Sequence, residues 1–335
     1  MAEKNSGNGM SLERIQQIRE FSLIGFIVVL SIFVQFRNSN FLTMTNLDDL
    51  LTNTAILSIL AVGMMMVIIT RGIDLSIGAT LALSGMLTSM LVSVYPALHP
   101  LAALFIGTLI GFISGSIIGL LVARFKILPI IATLGMMNVF RGITFLISGG
   151  KWVSAYQMSD SFKAISTGSI FGINNLIVIA VLIYIVFYYF INYTRTGRKI
   201  YAVGSSPQSA KVSGINVTKI TWLVYSIMGS LAGLSGVLWV SKFASAQSNT
   251  AAGYELNVIA ACVIGGISIA GGEGKVAGLL SGVLLYGILE NALPMINISP
   301  FWQNAIQGAV ILIAVVVGAL IKRKTGSSNK IRRED

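Results

Sequence analysis

Apolar runs of about 20 residues recur along almost the whole chain, and this constrains the fold more than any motif does. Each run can cross a hydrocarbon core of about 30 Å as a helix, closing its backbone hydrogen bonds within the segment. Residues 21–37, 52–70, 73–94, 101–122, 129–148, 174–193, 220–241, 255–271, 276–296 and 302–321 give ten expected crossings. The expected fold is all-α, a polytopic membrane protein of about ten transmembrane helices. With 55% of residues hydrophobic and 10% charged, no polar region is long enough for a separate soluble domain. The expected organisation is a cytoplasmic N-terminal segment 1–20, a single transmembrane domain 21–321 and a cytoplasmic basic tail 322–335. No small-residue cleavage site clearly follows the first apolar run, so an uncleaved first helix is expected.

A net charge of +11 could point to nucleic acid or anionic lipid, but its placement records topology. With both termini inside, Arg37, Lys151, Lys163 and Lys242 fall on the outer side and Arg141 within a span. The rest of the 23 lysines and arginines lie on the cytoplasmic side. Such asymmetry follows the positive-inside rule. The expected location is a cytoplasmic (inner) membrane, with lipid as a partner and nucleic acid excluded.

Missing chemistry narrows the function further. Cys262 is the one cysteine and His99 the one histidine, which excludes an internal disulfide and leaves no metal cluster to expect. The stretch GGEGKV (271–276) departs from the phosphate-loop pattern twice. Ile269 stands where the first glycine belongs, and Val276 replaces the hydroxyl that would hold magnesium. No nucleophile–base arrangement is visible, so no catalytic residue is expected and the chain reads as a non-enzyme without a cofactor of its own.

The spans contain polar groups that suit a neutral, hydrogen-bonding solute. Candidate pathway residues are Asp74, Ser76, Thr133, Asn138, Arg141, Glu255, Asn257 and Asn291. A cation within a span is costly unless paired, so Arg141 should meet Asp74, Glu255, Glu290 or backbone carbonyls. Two stretches look broken, VIITRGIDLSIG (67–78) and CVIGGISIAGGEGK (262–275), and read equally well as pathway-lining interruptions or tight cytoplasmic turns. Glycines four apart recur at 111/115/119, 229/233 and 278/282. They fit close helix packing within the chain, or a subunit–subunit face.

The loop 194–219 carries Arg195, Arg198, Lys199, Lys211 and Lys219 and no acid. Within it, Ser206 fits an N-cap, Pro207 the first helical position and Gly214 the left-handed residue after a C-cap. A helix over 207–213 is far below the roughly 12–15 residues needed for marginal stability alone. It must dock, either on the chain's own inner face or on a partner. Ala210, Val212, Ile215 and Val217 are the expected docking surface.

Five segments together resemble the permease subunits of bacterial ATP-binding-cassette importers of the ribose type. They are RGIDLSIG (71–78), KILPIIATLGMMNVFRGI (126–143), TGRKIYAVGSSPQSAKVSGI (196–215), GYELNVIAACVIGGISIAGGEGKVAG (253–278) and NISPFWQNAIQG (297–308). Arg71 departs from that family, which more often has glycine there. GGKWVSAYQMSD (149–160) looks more like the deoxyhexose and autoinducer-2 members than the ribose ones. The resemblance implies a type II, vitamin-B12-importer-like fold and import of a sugar by alternating access. It implies a cytoplasmic cassette ATPase carrying ATP and magnesium, a second permease copy or homologue, and an extracytoplasmic sugar-binding protein. By the same resemblance, Ser206, Pro207, Gln208, Ala210, Lys211, Val212, Gly214 and Ile215 form the ATPase-coupling helix. Rival readings are an ion-coupled secondary sugar transporter or facilitator, and a membrane scaffold or lipid-linked-substrate enzyme.

Overall fold

The computed structural model describes residues 12–299, 301–303, 305–306, 308–309, 312 and 316, with side-chain surroundings from residue 23 onward. The helices in chain order are α1 (Leu12–Arg37), α2 (Met44–Ile69), α3 (Ile77–Val94), α4 (Pro100–Ala123), α5 (Pro129–Ser148) and α6 (Asp160–Thr167). A two-stranded hairpin, β1 (Ser169–Ile170) with β2 (Ile173–Asn174), precedes α7 (Asn175–Tyr193). Then follow α8 (Arg195–Ser205), α9 (Pro207–Val212), α10 (Val217–Phe243), α11 (Tyr254–Ile264) and α12 (Val276–Met295). The chain is an all-α polytopic membrane protein.

Seven of these helices, α2, α3, α4, α5, α7, α10 and α12, are long and apolar enough to cross a membrane. Helix α1 adds the apolar stretch Leu23–Arg37. The expected crossing 255–271 is corrected: its helix ends at Ile264. Eleven residues at 1.5 Å each span about 16 Å, half a hydrocarbon core. Backbone turns at Gly266, Gly271 and Gly272, all with positive φ, end the run. Most of the expected crossing 302–321, and the tail 322–335, lie outside the described residues.

The centre of the bundle is α2 and α10. Helix α2 is almost wholly buried, whereas α5 and α7 present most of their surface outward. Helix α10 reaches α4 through the spaced glycines. A Cβ at Gly111 would fall on the Gly229 carbonyl and lie 2.7 Å from the Gly233 Cα. A Cβ at Gly282 would lie 2.6 Å from the Gly265 Cα, so α12 meets the end of α11 in the same way. The glycine spacing thus serves packing within the chain, where lipid supplies no hydrophobic drive between helices. Ser84 of α3 donates to the carbonyl of Gly233 (2.7 Å) and adds a polar tie at that crossing.

The segment 149–174 is more structured than a loop. Helix α6 closes one end of α10, with Ser166 Oγ donating to the Leu238 carbonyl (2.8 Å) and Ser241 Oγ to the Phe162 carbonyl (2.8 Å). On its exposed side Lys163 pairs with Asp160 at 2.7 Å, which holds the Asp160 carboxyl below its ordinary range.

Candidate functional site

Two clusters of functional interest are linked through α11. The first is built around the basic stretch. Sequence reasoning placed one short helix there; the structure has two. Thr194 caps α8, its Oγ accepting from the Gly197 amide at 3.0 Å. Ser206 ends α8 and caps α9, its Oγ accepting from the Ser209 amide at 3.2 Å. Pro207 occupies the first position of α9 as expected. Gly214, at φ +79°, closes it, with its amide on the Lys211 carbonyl (3.0 Å) and the Ile215 amide on the Ala210 carbonyl (2.9 Å).

The expected docking face is divided between the chain itself and the outside. Ala210 is 4% exposed, because this side of the α8–α9 corner packs on the chain itself. Ile215 and Val217 are half-buried against the same core. Val212 is 89% exposed, and Gln208 and Lys211 are exposed beside it. One side of α9 therefore holds the corner in place, and the other is free.

Both stretches read as broken meet this corner. Gly204 is buried so closely that a Cβ would fall on the Ile69 carbonyl. Arg71, with φ at 65°, donates from Nε to the Gly204 carbonyl (2.6 Å) and from Nη2 to the Ser205 carbonyl (2.5 Å). These are the last carbonyls of α8, where a cation is favoured by the helix dipole as well. The Gly272 amide donates to the Ile69 carbonyl (2.9 Å), and the Tyr201 hydroxyl donates to the Gly274 carbonyl (2.6 Å). Burial pushes the Tyr201 phenol up to about 12, so it remains a donor at physiological pH. The α2–α3 turn, the α8–α9 corner and the α11–α12 turn form one hydrogen-bonded unit.

Three expected pathway residues lie in the packed interior beside this unit. Asp74 Oδ1 accepts from the Ser76 amide (2.9 Å) and hydroxyl (2.6 Å), and both residues are buried. This fixes the entry to α3. Thr133 is buried and donates to the Pro129 carbonyl (2.9 Å) of its own helix and the Ile73 carbonyl (3.3 Å). In this conformation all three are buried.

The second cluster surrounds Arg141. Its guanidinium donates to the carbonyls of Ser248 (2.9 Å) and Thr250 (2.6 Å), which realises the backbone alternative for its partner. Glu255 lies within electrostatic reach of Arg141 but makes no close ion pair with it. The carbonyls belong to the irregular segment 244–253, which leads into α11. A Cβ at Gly78 would lie 2.8 Å from Glu255 Oε2, so the start of α11 abuts the start of α3. Tyr254 packs edge-on against Trp239, one turn before α10 ends, which places the start of α11 inside the bundle. Asn138, one turn before Arg141, is exposed and donates only to the Leu134 carbonyl of its own helix (3.0 Å). Asn257 is half-buried on α11.

The remaining expected residues are elsewhere. Asn291 of α12 exchanges amide hydrogen bonds with Asn46 of α2 at 3.1 Å. Glu290 lines a cavity with Lys242, and Arg141 is not part of its wall. Of the eight expected pathway residues, the structure pairs Asp74 with Ser76 beside Thr133, sets Glu255 near Arg141, and places Asn291 apart from both groups. Sequence reasoning missed Arg71 and Tyr201 as links, and the signal for Arg71 was its departure from glycine at a left-handed position.

A family model described as branched-chain amino acid transport system / permease component matches residues 46–315. The ribose import permease protein RbsC of Escherichia coli K12 is 38% identical over 298 residues, covering 88% of this chain and 92% of that one. RbsC of Bacillus subtilis is 40% identical over 291 residues, covering 87% and 90%. The L-arabinose transport system permease protein AraH of Escherichia coli K12 is 33% identical over 297 residues, covering 89% of each. No solved structure matches the chain.

Proposed function

The chain belongs to the branched-chain amino acid transport system / permease component family, and from that premise we propose that it is the membrane-spanning subunit of an ATP-driven monosaccharide importer. In this reading two permease chains, identical or homologous, sit in a bacterial inner membrane with both termini cytoplasmic. A cytoplasmic cassette ATPase binds ATP and magnesium and drives the cycle. An extracytoplasmic binding protein delivers a monosaccharide; the relatives named above are permeases for the pentoses ribose and L-arabinose.

The observation that carries the proposal is the unit at the α8–α9 corner. Its free side, with Gln208, Lys211 and Val212, suits a protein partner, and its packed side is bonded to two membrane turns. A displacement of α9 by the ATPase would pass through Arg71 to the α2–α3 turn and through Tyr201 to the α11–α12 turn. Helix α11 is gripped by α12 at Gly265, Gly278 and Gly282, so it would move as a rod. Its far end carries Glu255 beside Arg141, where the exposed Asn138 face of α5 would meet the solute path. Interrupted helices are tolerated at such depth only against protein or water, which suits 244–253 to a pathway wall.

The test is a pair of substitutions on α9 in the assembled complex. Val212→Asp should leave the permease folded but sever ATPase association. Ala210→Asp should release α9 from its own chain, since a buried unpaired charge is costly. A Val212→Asp permease that still binds its ATPase and imports sugar normally would remove α9 from the coupling path.

A further inference from the structure

Beyond the Arg141 cluster, a separate cavity of about 210 Å³ opens between α2, α10, α11 and α12. Its wall includes Asn53, Trp239, Lys242, Tyr254, Glu290 and Asn291. These residues come from four helices spread over more than two hundred positions of the chain, so no single motif marks the site. At roughly 30 Å³ per water, the space holds a small solute of monosaccharide size rather than one or two waters.

Its chemistry is that of a neutral polyol site. Lys242 and Glu290 face the same cavity without forming a close ion pair, and their formal charges cancel, which disfavours a phosphate ester or a cation. The Lys242 ammonium is already engaged by Asn53 Oδ1 (2.6 Å) and the Thr52 carbonyl (3.1 Å). The ammonium also lies 5.2 Å from the centre of the Phe243 ring, so little of its donor capacity is left to clamp an anion. Glu290 supplies carboxylate acceptors, and Asn53, whose Oδ1 holds Lys242, keeps its amide N–H groups to donate; the Asn291 carboxamide is exchanged with Asn46. Trp239 and Tyr254, edge-to-face with ring centres 5.1 Å apart, give the apolar wall against which the C–H face of a sugar ring can lie.

The location adds a second argument. Lys242 and Tyr254 stand at the two ends of the segment 244–253, whose Ser248 and Thr250 carbonyls hold Arg141. A solute in the cavity would touch both ends of the segment that forms the Arg141 cluster. We infer that this cavity is a low-affinity monosaccharide subsite within a single permease chain, a station beside the Arg141 cluster. The inference rests on the proposed sugar specificity and adds a binding place that the import reading alone does not require.

Trp239 in the wall provides the reporter. Purified full-length permease in nanodiscs, without ATPase or binding protein, is titrated with D-ribose, L-arabinose and D-galactose while tryptophan fluorescence is followed. The expected result is a saturable change with a millimolar midpoint, absent in Trp239→Phe and weakened at least tenfold in Glu290→Gln and in Asn53→Ala. Ribose 5-phosphate should not compete. Two independent wall variants keep the test decisive should one fail to fold, as judged by size-exclusion profile. Absence of any saturable change, or a change indifferent to both wall variants, overturns the subsite. So does native mass spectrometry showing a phospholipid retained by the parent and lost in Glu290→Gln, which would make the cavity a headgroup site. ATP-driven uptake measured in parallel separates the readings: uptake without the fluorescence change sinks only the subsite, and loss of both sinks the import function.

Discussion

Arg71→Gly and Arg71→Ala test the link between α8 and the α2–α3 turn in a way that separates two opposing effects. Either change removes two guanidinium bonds, to the carbonyls of Gly204 and Ser205. Hydrogen bonds to charged groups contribute about 1.5–3 kcal/mol each when sheltered; Arg71 is exposed, so about 2 kcal/mol for the pair is the appropriate scale. Arg71 also holds a left-handed φ of 65°, which costs an L-residue about 1–2 kcal/mol. Glycine relieves that cost and alanine does not. The net loss is about 1 kcal/mol for Arg71→Gly, roughly a fivefold shift in the docking equilibrium of the α8–α9 corner, and about 2 kcal/mol, roughly thirtyfold, for Arg71→Ala. Hydrogen–deuterium exchange over 195–215 in nanodiscs reads the docking directly, and stimulation of ATPase by loaded binding protein reads its consequence. Both should rank parent, then glycine, then alanine. Equal exchange in all three, or alanine milder than glycine, would refute the clasp.

Arg141→Leu should reduce uptake at least tenfold while Lys163→Leu, which loses only an ion pair to the solvent-exposed Asp160, stays near normal; uptake assays in matched membranes check this, since the former strands the Ser248 and Thr250 carbonyls. Gly111→Val should lower thermal stability in detergent by about 1–3 kcal/mol or more through overpacking at α10, whereas Gly135→Ala, with open space around it, should not. Tyr201→Phe should loosen the Gly274 contact by about 1 kcal/mol and raise exchange in the α11–α12 turn. The Tyr201 phenol titrates higher when docked than free, so docking should lose stability only as pH rises from 10 towards about 12; a loss near pH 7 would contradict its assignment.

The parts of this molecule that were legible beforehand rest on local chemistry. Ser206, Pro207 and Gly214 mark the bounds of α9 because capping is a matter of a few adjacent residues. Eight of the ten expected crossings coincide with helices because hydropathy is summed over a long window. Helix α8 was hidden because RTGRK reads as polar loop, although Ile200 and Val203, buried one turn apart, carried its signal. The orientation of α9 was not readable, since six residues are too few to show a helical period and Ala210 and Val212 look equally apolar. Asp74 and Ser76 read as pathway groups because they are polar residues of a span, but they satisfy each other at a helix start. The cavity between Lys242 and Glu290 joins residues whose proximity follows only from how α2, α10, α11 and α12 pack.

The central claim is that this chain moves a sugar only when a separate ATPase drives it. Uptake of radiolabelled D-ribose, L-arabinose and D-galactose into proteoliposomes tests it directly, with the permease reconstituted alone or with its ATPase and loaded binding protein. The account predicts accumulation of at least one of these sugars with all components and hydrolysable ATP, and none with a non-hydrolysable analogue or without the ATPase. Accumulation driven by an ion gradient in vesicles holding the permease alone would contradict it.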